Sequence, residues 1–174
     1  MHILVLIIGT ALGVAFWLTR LGRGAGSVVD AAQTLSNMPR RSRHRRAVNR
    51  RGLSLIETPV EAATILMLSM SRMGEDRRLS SKERARIERQ LVLHMQLEPD
   101  DADGLTRQME MVHDDIVLPE STLFPMVDIL LPAISKDEAR RLADMMNAVA
   151  EVHGKTHEQA DFVRRFRNRM GLNG

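Results

Sequence analysis

The stretch Ile3–Leu18 constrains this chain more than any other part of the sequence. Its 16 residues, ILVLIIGTALGVAFWL, include no charged side chain. As a helix they would span about 24 Å at about 1.5 Å per residue. The bilayer core is about 30 Å thick, but flanking residues add length and Arg20 can extend toward the headgroups. Trp17 lies near the end of the stretch, where an interfacial indole is expected. The sequence therefore predicts a single transmembrane helix, with the anchor spanning residues 1–20.

Two alternatives for this stretch are a cleaved signal peptide and a buried core helix. A signal peptide begins with positive charge and ends at a small-x-small cleavage site. Here no Lys or Arg precedes the stretch, and its end reads Ala-Phe-Trp-Leu-Thr-Arg. A retained anchor is therefore the favoured interpretation.

The charge of the chain is divided sharply along its length. Residues 1–51 contain nine Arg and one Asp, a net charge of +8, whereas the other 123 residues contain 16 basic and 21 acidic groups, a net charge of −5. Because positive charge after a membrane helix stays in the cytoplasm, we expect a single-pass membrane protein. Its N-terminus would lie outside and its C-terminal domain in the cytoplasm. The absence of Cys excludes disulfide and thiolate chemistry.

A basic flexible linker is predicted over residues 21–57. Its most basic part, Pro39–Arg51, contains seven arginines and no acid. Next to a membrane anchor, such a segment is expected to contact anionic lipid headgroups; a nucleic-acid arm is the less favoured alternative. The predicted lipid-contacting residues are Arg40, Arg41, Arg43, Arg45, Arg46, Arg50 and Arg51.

Four helix-start patterns follow the linker, at Thr58–Glu61, Ser80–Glu83, Ser135–Glu138 and Thr156–Gln159. In each, the hydroxyl can accept a hydrogen bond from the backbone N–H three residues on. The side chain of the Glu or Gln at that position can in turn accept the backbone N–H of the first residue. Each pattern leads into a run with helical periodicity. Residues 58–172 are therefore predicted to form an all-α domain, a compact bundle of about six helices.

The predicted helices form two αα-hairpins joined by a central pair of helices. The first helix is apolar on nearly all sides, which predicts a central position. Val117–Ser121 is predicted as a loop, Pro132 should kink or end the fourth helix, and Gly171 should cap the last one. The six predicted ranges are Val60–Met73, Ser81–Leu97, Ala102–Val112, Thr122–Ile134, Lys136–Val152 and His157–Met170.

The turn between the first two predicted helices reads Met73-Gly-Glu-Asp76-Arg-Arg-Leu79-Ser-Ser-Lys-Glu83. It resembles the TerB-like family, the all-helical domain named for tellurite resistance and shared with membrane-anchored DnaJ-like co-chaperones. That family's hairpin has Ala-Asp-Gly, a hydrophobic residue and Ser-x-x-Glu between an apolar and an amphipathic helix. The matching positions here are Asp76, Leu79, Ser80 and Glu83, with Arg77 in place of the glycine.

The second hairpin carries the same pattern less completely. It keeps the glycine at Gly154 but has His153 where the family has Asp. The resemblance covers about Thr58–Leu172. No His-Pro-Asp tripeptide occurs, so the J-domain of the co-chaperones is absent.

The resemblance implies a membrane-anchored interaction module that faces the cytoplasm. It would be linked to stress or tellurite resistance through protein assembly at the inner membrane, with unidentified cytoplasmic or membrane proteins as partners. No catalytic motif is recognisable in the sequence. We therefore predict no enzyme activity and no catalytic residue.

An alternative function is that of a divalent-cation sensor using the acidic hairpin turn. The resemblance implies that acidic residues of this turn could hold Ca²⁺ or Mg²⁺, and the candidates here are Glu75, Asp76 and Glu83. Ca²⁺ needs six to eight oxygen ligands and Mg²⁺ an octahedron. Helix capping by Glu83 is the favoured interpretation because it needs no further ligand.

Two further groups of polar residues are interpreted structurally. His153 and His157 have a metal-ligand spacing, but Gly154 and Thr156 place a helix boundary between them. The acidic residues of the second group lack the order of a calcium loop and should begin a helix instead. They are Glu98, Asp100, Asp101 and Asp103.

Six methionines near the first hairpin could line an adaptable peptide groove, but filling a helical core is the favoured role. They are Met67, Met70, Met73, Met95, Met109 and Met111.

Overall fold

The structure, a computed structural model, describes residues 52–74 and 78–172. This part of the chain is helical and contains no strand. Short 3₁₀ helices lie at Gly52–Leu55 and Pro119–Thr122. The α-helices are α1 (Pro59–Arg72), α2 (Ser81–Met95), α3 (Pro99–Asp114), α4 (Leu123–Leu130), α5 (Lys136–Ala150) and α6 (His157–Arg169). The prediction of an all-α domain of about six helices is therefore confirmed.

Helix α1 is the centre of the fold. It packs against α2, α3, α4 and α5, and α6 packs against α5 and α4. Every residue from Ala62 to Ser71 is buried, in agreement with the apolar sequence of this helix. A helix that is apolar all round can be stable only when other elements cover every side. Ile56, which the sequence places at the end of the linker, is also buried in this core.

All four predicted capping boxes are formed. The side chains of Thr58, Ser80, Ser135 and Thr156 each accept the backbone N–H three residues on, and the Glu or Gln at that position accepts the backbone N–H of the cap. The end of α6 is closed by Gly171 at φ +67°, followed by buried Leu172, as the sequence predicts.

Several boundaries differ from the predictions for physical reasons. The predicted loop at Val117–Ser121 contains most of a 3₁₀ helix, because Ser121 and Thr122 hydroxyls bond to carbonyls three residues back. Helix α4 ends at Leu130, two residues before Pro132 rather than at Ile134. Helix α3 begins at Pro99, where proline loses no hydrogen bond.

Five of the six methionines are buried in the core, and Met111 is exposed. This arrangement agrees with core filling and not with a methionine-lined groove. Leu93, expected among the apolar positions of α2, is also exposed because it lies on the side of α2 that faces away from the other helices.

Gln96 ends α2 in the left-handed region, with φ 56° and ψ 32°. A non-glycine residue is strained there because its Cβ approaches the following carbonyl. We expect Gln96→Gly to raise the free energy of unfolding by about 1 kcal/mol. Urea unfolding followed by circular dichroism would measure the change, and an unchanged or lower stability would show that the Gln96 side chain compensates for the strain.

Candidate functional site

The turns of the two hairpins meet at one end of the bundle. The Gln159 side-chain amide donates to the Met70 carbonyl at 2.7 Å, and the Thr156 hydroxyl lies 3.5 Å from the Met73 carbonyl. A Cβ added at Gly74 would lie 3.1 Å from the Ser71 carbonyl oxygen and 3.6 Å from Nε2 of Gln159. The first hairpin turn is therefore held against the start of α6 by the Thr156–Gln159 capping box, which contacts both hairpins.

Ser80 links the capping box of α2 to the second hairpin. Its hydroxyl donates to Oε2 of Glu83 at 2.7 Å, and the backbone N–H of Ser80 donates to the same oxygen at 2.9 Å. Nε2 of His153 lies 2.8 Å from the Ser80 hydroxyl and 4.0 Å from Oε2 of Glu83. Since the single hydroxyl hydrogen points to Glu83, His153 is the donor in its contact with Ser80.

Glu83, the described residue of the predicted metal site, forms the capping box of α2. Glu83 is buried and its Oε2 already accepts two hydrogen bonds, and the nearest histidine presents an N–H rather than a lone pair. Glu75 and Asp76 lie outside the described residues, so their predicted metal role stays a prediction. Within the described ranges, no group of three or more His, Asp or Glu side chains is arranged to hold a metal ion.

Ser80→Ala should destabilise the chain more than Ser135→Ala does. Both substitutions remove a capping box of nearly identical geometry, at a cost of about 1 kcal/mol. Only Ser80 also bonds to a residue of the other hairpin, which adds about 1 kcal/mol. Urea unfolding of both variants measures the difference; equal losses would show that the contact with His153 contributes nothing.

The remaining sequence candidates occupy structural positions. His157 is exposed at the start of α6, and His153 lies in the turn before it, so the pair does not share a helix face. Asp100 and Asp101 lie in the first turn of α3, as expected for acids at the positive end of a helix. The seven arginines of Pro39–Arg51 lie outside the described residues. Their predicted lipid contact therefore stays a prediction.

A second polar cluster, not found from the sequence, lies inside the core. Nε2 of His113 lies 2.9 Å from the Ser69 hydroxyl, which lies 2.9 Å from the Thr122 hydroxyl. The Ser69 hydroxyl also donates to the Ile65 carbonyl at 2.9 Å. This His113 cluster (Ser69, His113 and Thr122) joins α1, α3 and the second 3₁₀ helix. Its three side chains are almost completely buried, so they are not accessible to a substrate.

Burial, together with the nearby Arg72 guanidinium, lowers the pKa of His113 to about 4. Its Nδ1 has no hydrogen-bond partner among the described residues, so a proton added there would be buried without an acceptor. One sequence signal could have revealed the cluster. Ser69 lies in the middle of an apolar helix, where a buried hydroxyl needs a partner.

No helix within residues 52–74 and 78–172 has the length and apolar character needed to cross a bilayer. The predicted anchor, Ile3–Leu18, lies outside these ranges. Its prediction therefore rests on the sequence.

Comparison with known proteins identifies the helical domain. A family model described as tellurite resistance protein TerB matches residues 61–174, about two thirds of the chain. No curated protein and no solved structure matches it. The matched range contains helices α2 to α6 and most of α1, together with both hairpin turns. The chain therefore belongs to the TerB family of tellurite resistance proteins.

Proposed function

We propose that this chain is a membrane-anchored TerB-family interaction module whose helical domain faces the cytoplasm. It would act in tellurite or stress resistance by holding partner proteins at the inner membrane. The observation that carries the proposal is the order of its parts: a charge-free stretch of 16 residues, then nine arginines within residues 20–51, then a domain with its own core. This order is typical of a tethered cytoplasmic domain.

The arrangement of polar groups favours binding over catalysis. His113, the described histidine that contacts a hydroxyl inside the core, is buried away from solvent. At the turn junction, the hydroxyls and carboxylate are used in capping helices. Several large apolar side chains remain exposed, and where such residues form a contiguous patch they commonly mark a contact surface. They are Leu93, Met111, Val117, Leu118, Phe124 and Leu131.

The linker supports a second kind of contact, with anionic lipid headgroups. Seven arginines near a membrane surface contribute about 1 kcal/mol each at moderate ionic strength. Binding of this kind should weaken steeply with salt. A preference for anionic vesicles over RNA in co-sedimentation would support lipid contact; the reverse preference would favour the nucleic-acid alternative.

Cross-linking in intact cells, followed by purification of the full chain from solubilised membranes, tests the interaction role. The control is a chain that keeps residues 1–51 but has an unrelated domain in place of residues 52–174. We expect a reproducible set of proteins that only the full chain retains. The same set on both chains, or no set at all, would contradict a binding role for the TerB domain.

The cation-sensor alternative makes a different prediction. Since the Glu83 carboxylate is already hydrogen-bonded, we expect calorimetric titration of the full chain with Ca²⁺, Mg²⁺ or Mn²⁺ to give no saturable heat and no shift in Tm. A saturable heat that disappears in Asp76→Asn would establish the cation site instead. Ser135→Ala, far from this turn in the sequence, is the control for nonspecific effects.

A further inference from the structure

Met111 differs from the other methionines of the helical domain in its contact with solvent. Residues 52–172 contain ten methionines. Nine of them are buried, with exposed fractions of 7% or less, whereas Met111 is 67% exposed. The nine buried ones are Met67, Met70, Met73, Met95, Met109, Met126, Met145, Met146 and Met170.

The geometry of α3 explains the contrast between two of these methionines. Met109 and Met111 are two positions apart, which corresponds to about 200° of rotation around the helix axis, so they lie on nearly opposite sides. Met109 shares its side of α3 with buried His113, and this side packs against α1. Met111 lies on the other side, with the exposed Arg107 and Asp115 one turn away in either direction. Its thioether is therefore accessible to small solutes, while that of Met109 is not.

Met111 carries the one exposed sulfur atom within residues 52–74 and 78–172. The sequence has no Cys and no Tyr, and its single Trp lies outside these ranges. Cys and Met sulfur atoms are oxidised in steps, and exposure determines which of them react first. An oxidant that reaches the described surface of the domain therefore meets a single reactive thioether.

We propose that Met111 is a site of reversible oxidation by hydrogen peroxide. The lone pair of the thioether sulfur attacks one peroxide oxygen, so that the S–O bond forms as the O–O bond breaks. The departing hydroxide takes the proton of the transferred oxygen and becomes water. Sulfur is oxidised by two electrons to the sulfoxide, and the peroxide is reduced by the same two electrons.

The position of Met111 determines what this oxidation does to the domain. A sulfoxide is polar, and at a buried methionine it would disrupt the core. At Met111 it changes an apolar surface group into a hydrogen-bond acceptor and leaves the core intact. The exposed sulfoxide is also accessible to the methionine sulfoxide reductases, each of which reduces one epimer. The domain thus gains a reversible change of its surface without unfolding, whether or not the chain is attached to a membrane.

Oxidation rates in the full chain test the proposal, with Met109 as the internal control. The chain is purified in mild detergent, treated with hydrogen peroxide for increasing times, digested with trypsin and analysed by tandem mass spectrometry. We expect the sulfoxide at Met111 to form at least about ten-fold faster than that at Met109. In urea, where the fold no longer protects Met109, the two rates should become equal. Met111→Leu should remove the fast oxidation from the tryptic peptide 108–136 and leave the slow rate at Met109 unchanged.

Two further measurements check that the oxidised site is on the surface and reversible. A chain oxidised at Met111 and not at the buried methionines should stay helical by circular dichroism, with a Tm within about 3 °C of the untreated chain. Both types of methionine sulfoxide reductase, added with a dithiol reductant, should restore the thioether. Four results would overturn the inference: equal rates at Met109 and Met111 in the folded chain, a difference that persists in urea, loss of the helical signal, or a sulfoxide that both reductases leave in place.

Discussion

Phe162→Ala should lower the free energy of unfolding by about 3–5 kcal/mol. Phe162 is completely buried on α6, and it and Phe166 are the only aromatic residues buried within the described part of the chain. The neighbouring helices pack around the ring, so its removal leaves a cavity that small side chains cannot fill. Since a domain of this size has a total stability of about 5–15 kcal/mol, the loss would be severe. Urea unfolding of the full chain in mild detergent, followed by circular dichroism, measures it.

Phe124→Ala is the matched control. It removes the same atoms from an exposed position, where Phe124 contacts the Arg169 guanidinium. A cation–π contact at an exposed site contributes about 0.5–1 kcal/mol, so the stability loss should stay within that range. Similar losses for the two variants would mean that α6 is not packed into the core as described.

Acidification should destabilise the domain through His113. Its pKa is about 4 in the folded chain and about 6.5 in the unfolded chain, so the unfolded chain binds the extra proton first as the pH falls. The stability that neutral His113 provides is complete above about pH 6.5. It is lost as the pH falls from there to about 4, by about 3 kcal/mol in total.

His113→Gln should remove most of this pH dependence, because the amide can still donate to the Ser69 hydroxyl but does not titrate. The control is His157→Gln, which removes an exposed histidine instead of the buried one. Urea unfolding midpoints of the wild type and the two variants, measured from pH 7.5 to pH 4, test this prediction. If the free energy of unfolding of His113→Gln depends on pH as steeply as that of the wild type, a group other than His113 binds the proton.

Local signals made most of the helical fold predictable. The capping boxes at Ser80 and Ser135 are contained within four residues each, so the sequence alone determines where α2 and α5 begin. The central position of α1 followed from the absence of a polar side. The end of α4 was predicted less well. Pro132 has no N–H to donate to the carbonyl four residues back, and α4 stops at Leu130 instead of continuing to Ile134.

Contacts between distant residues were not predictable in the same way. His153 bonds to Ser80 across 73 positions, and His113 bonds to Ser69 across 44. Periodicity shows which side of a helix is apolar, but it does not show which polar group on another helix a hydroxyl will meet. Met111 illustrates a related limit: an apolar residue in a helix can still face solvent.

The topology of the full chain tests the central claim most directly. Green fluorescent protein and alkaline phosphatase are each fused after Gly174, since the first is fluorescent when it folds in the cytoplasm and the second is active in the periplasm. We predict that both fusions sediment with the inner membrane, that the first is fluorescent and that the second is inactive. An active phosphatase fusion would place the TerB domain outside the cytoplasm and contradict the account, as would a chain that does not sediment with membranes.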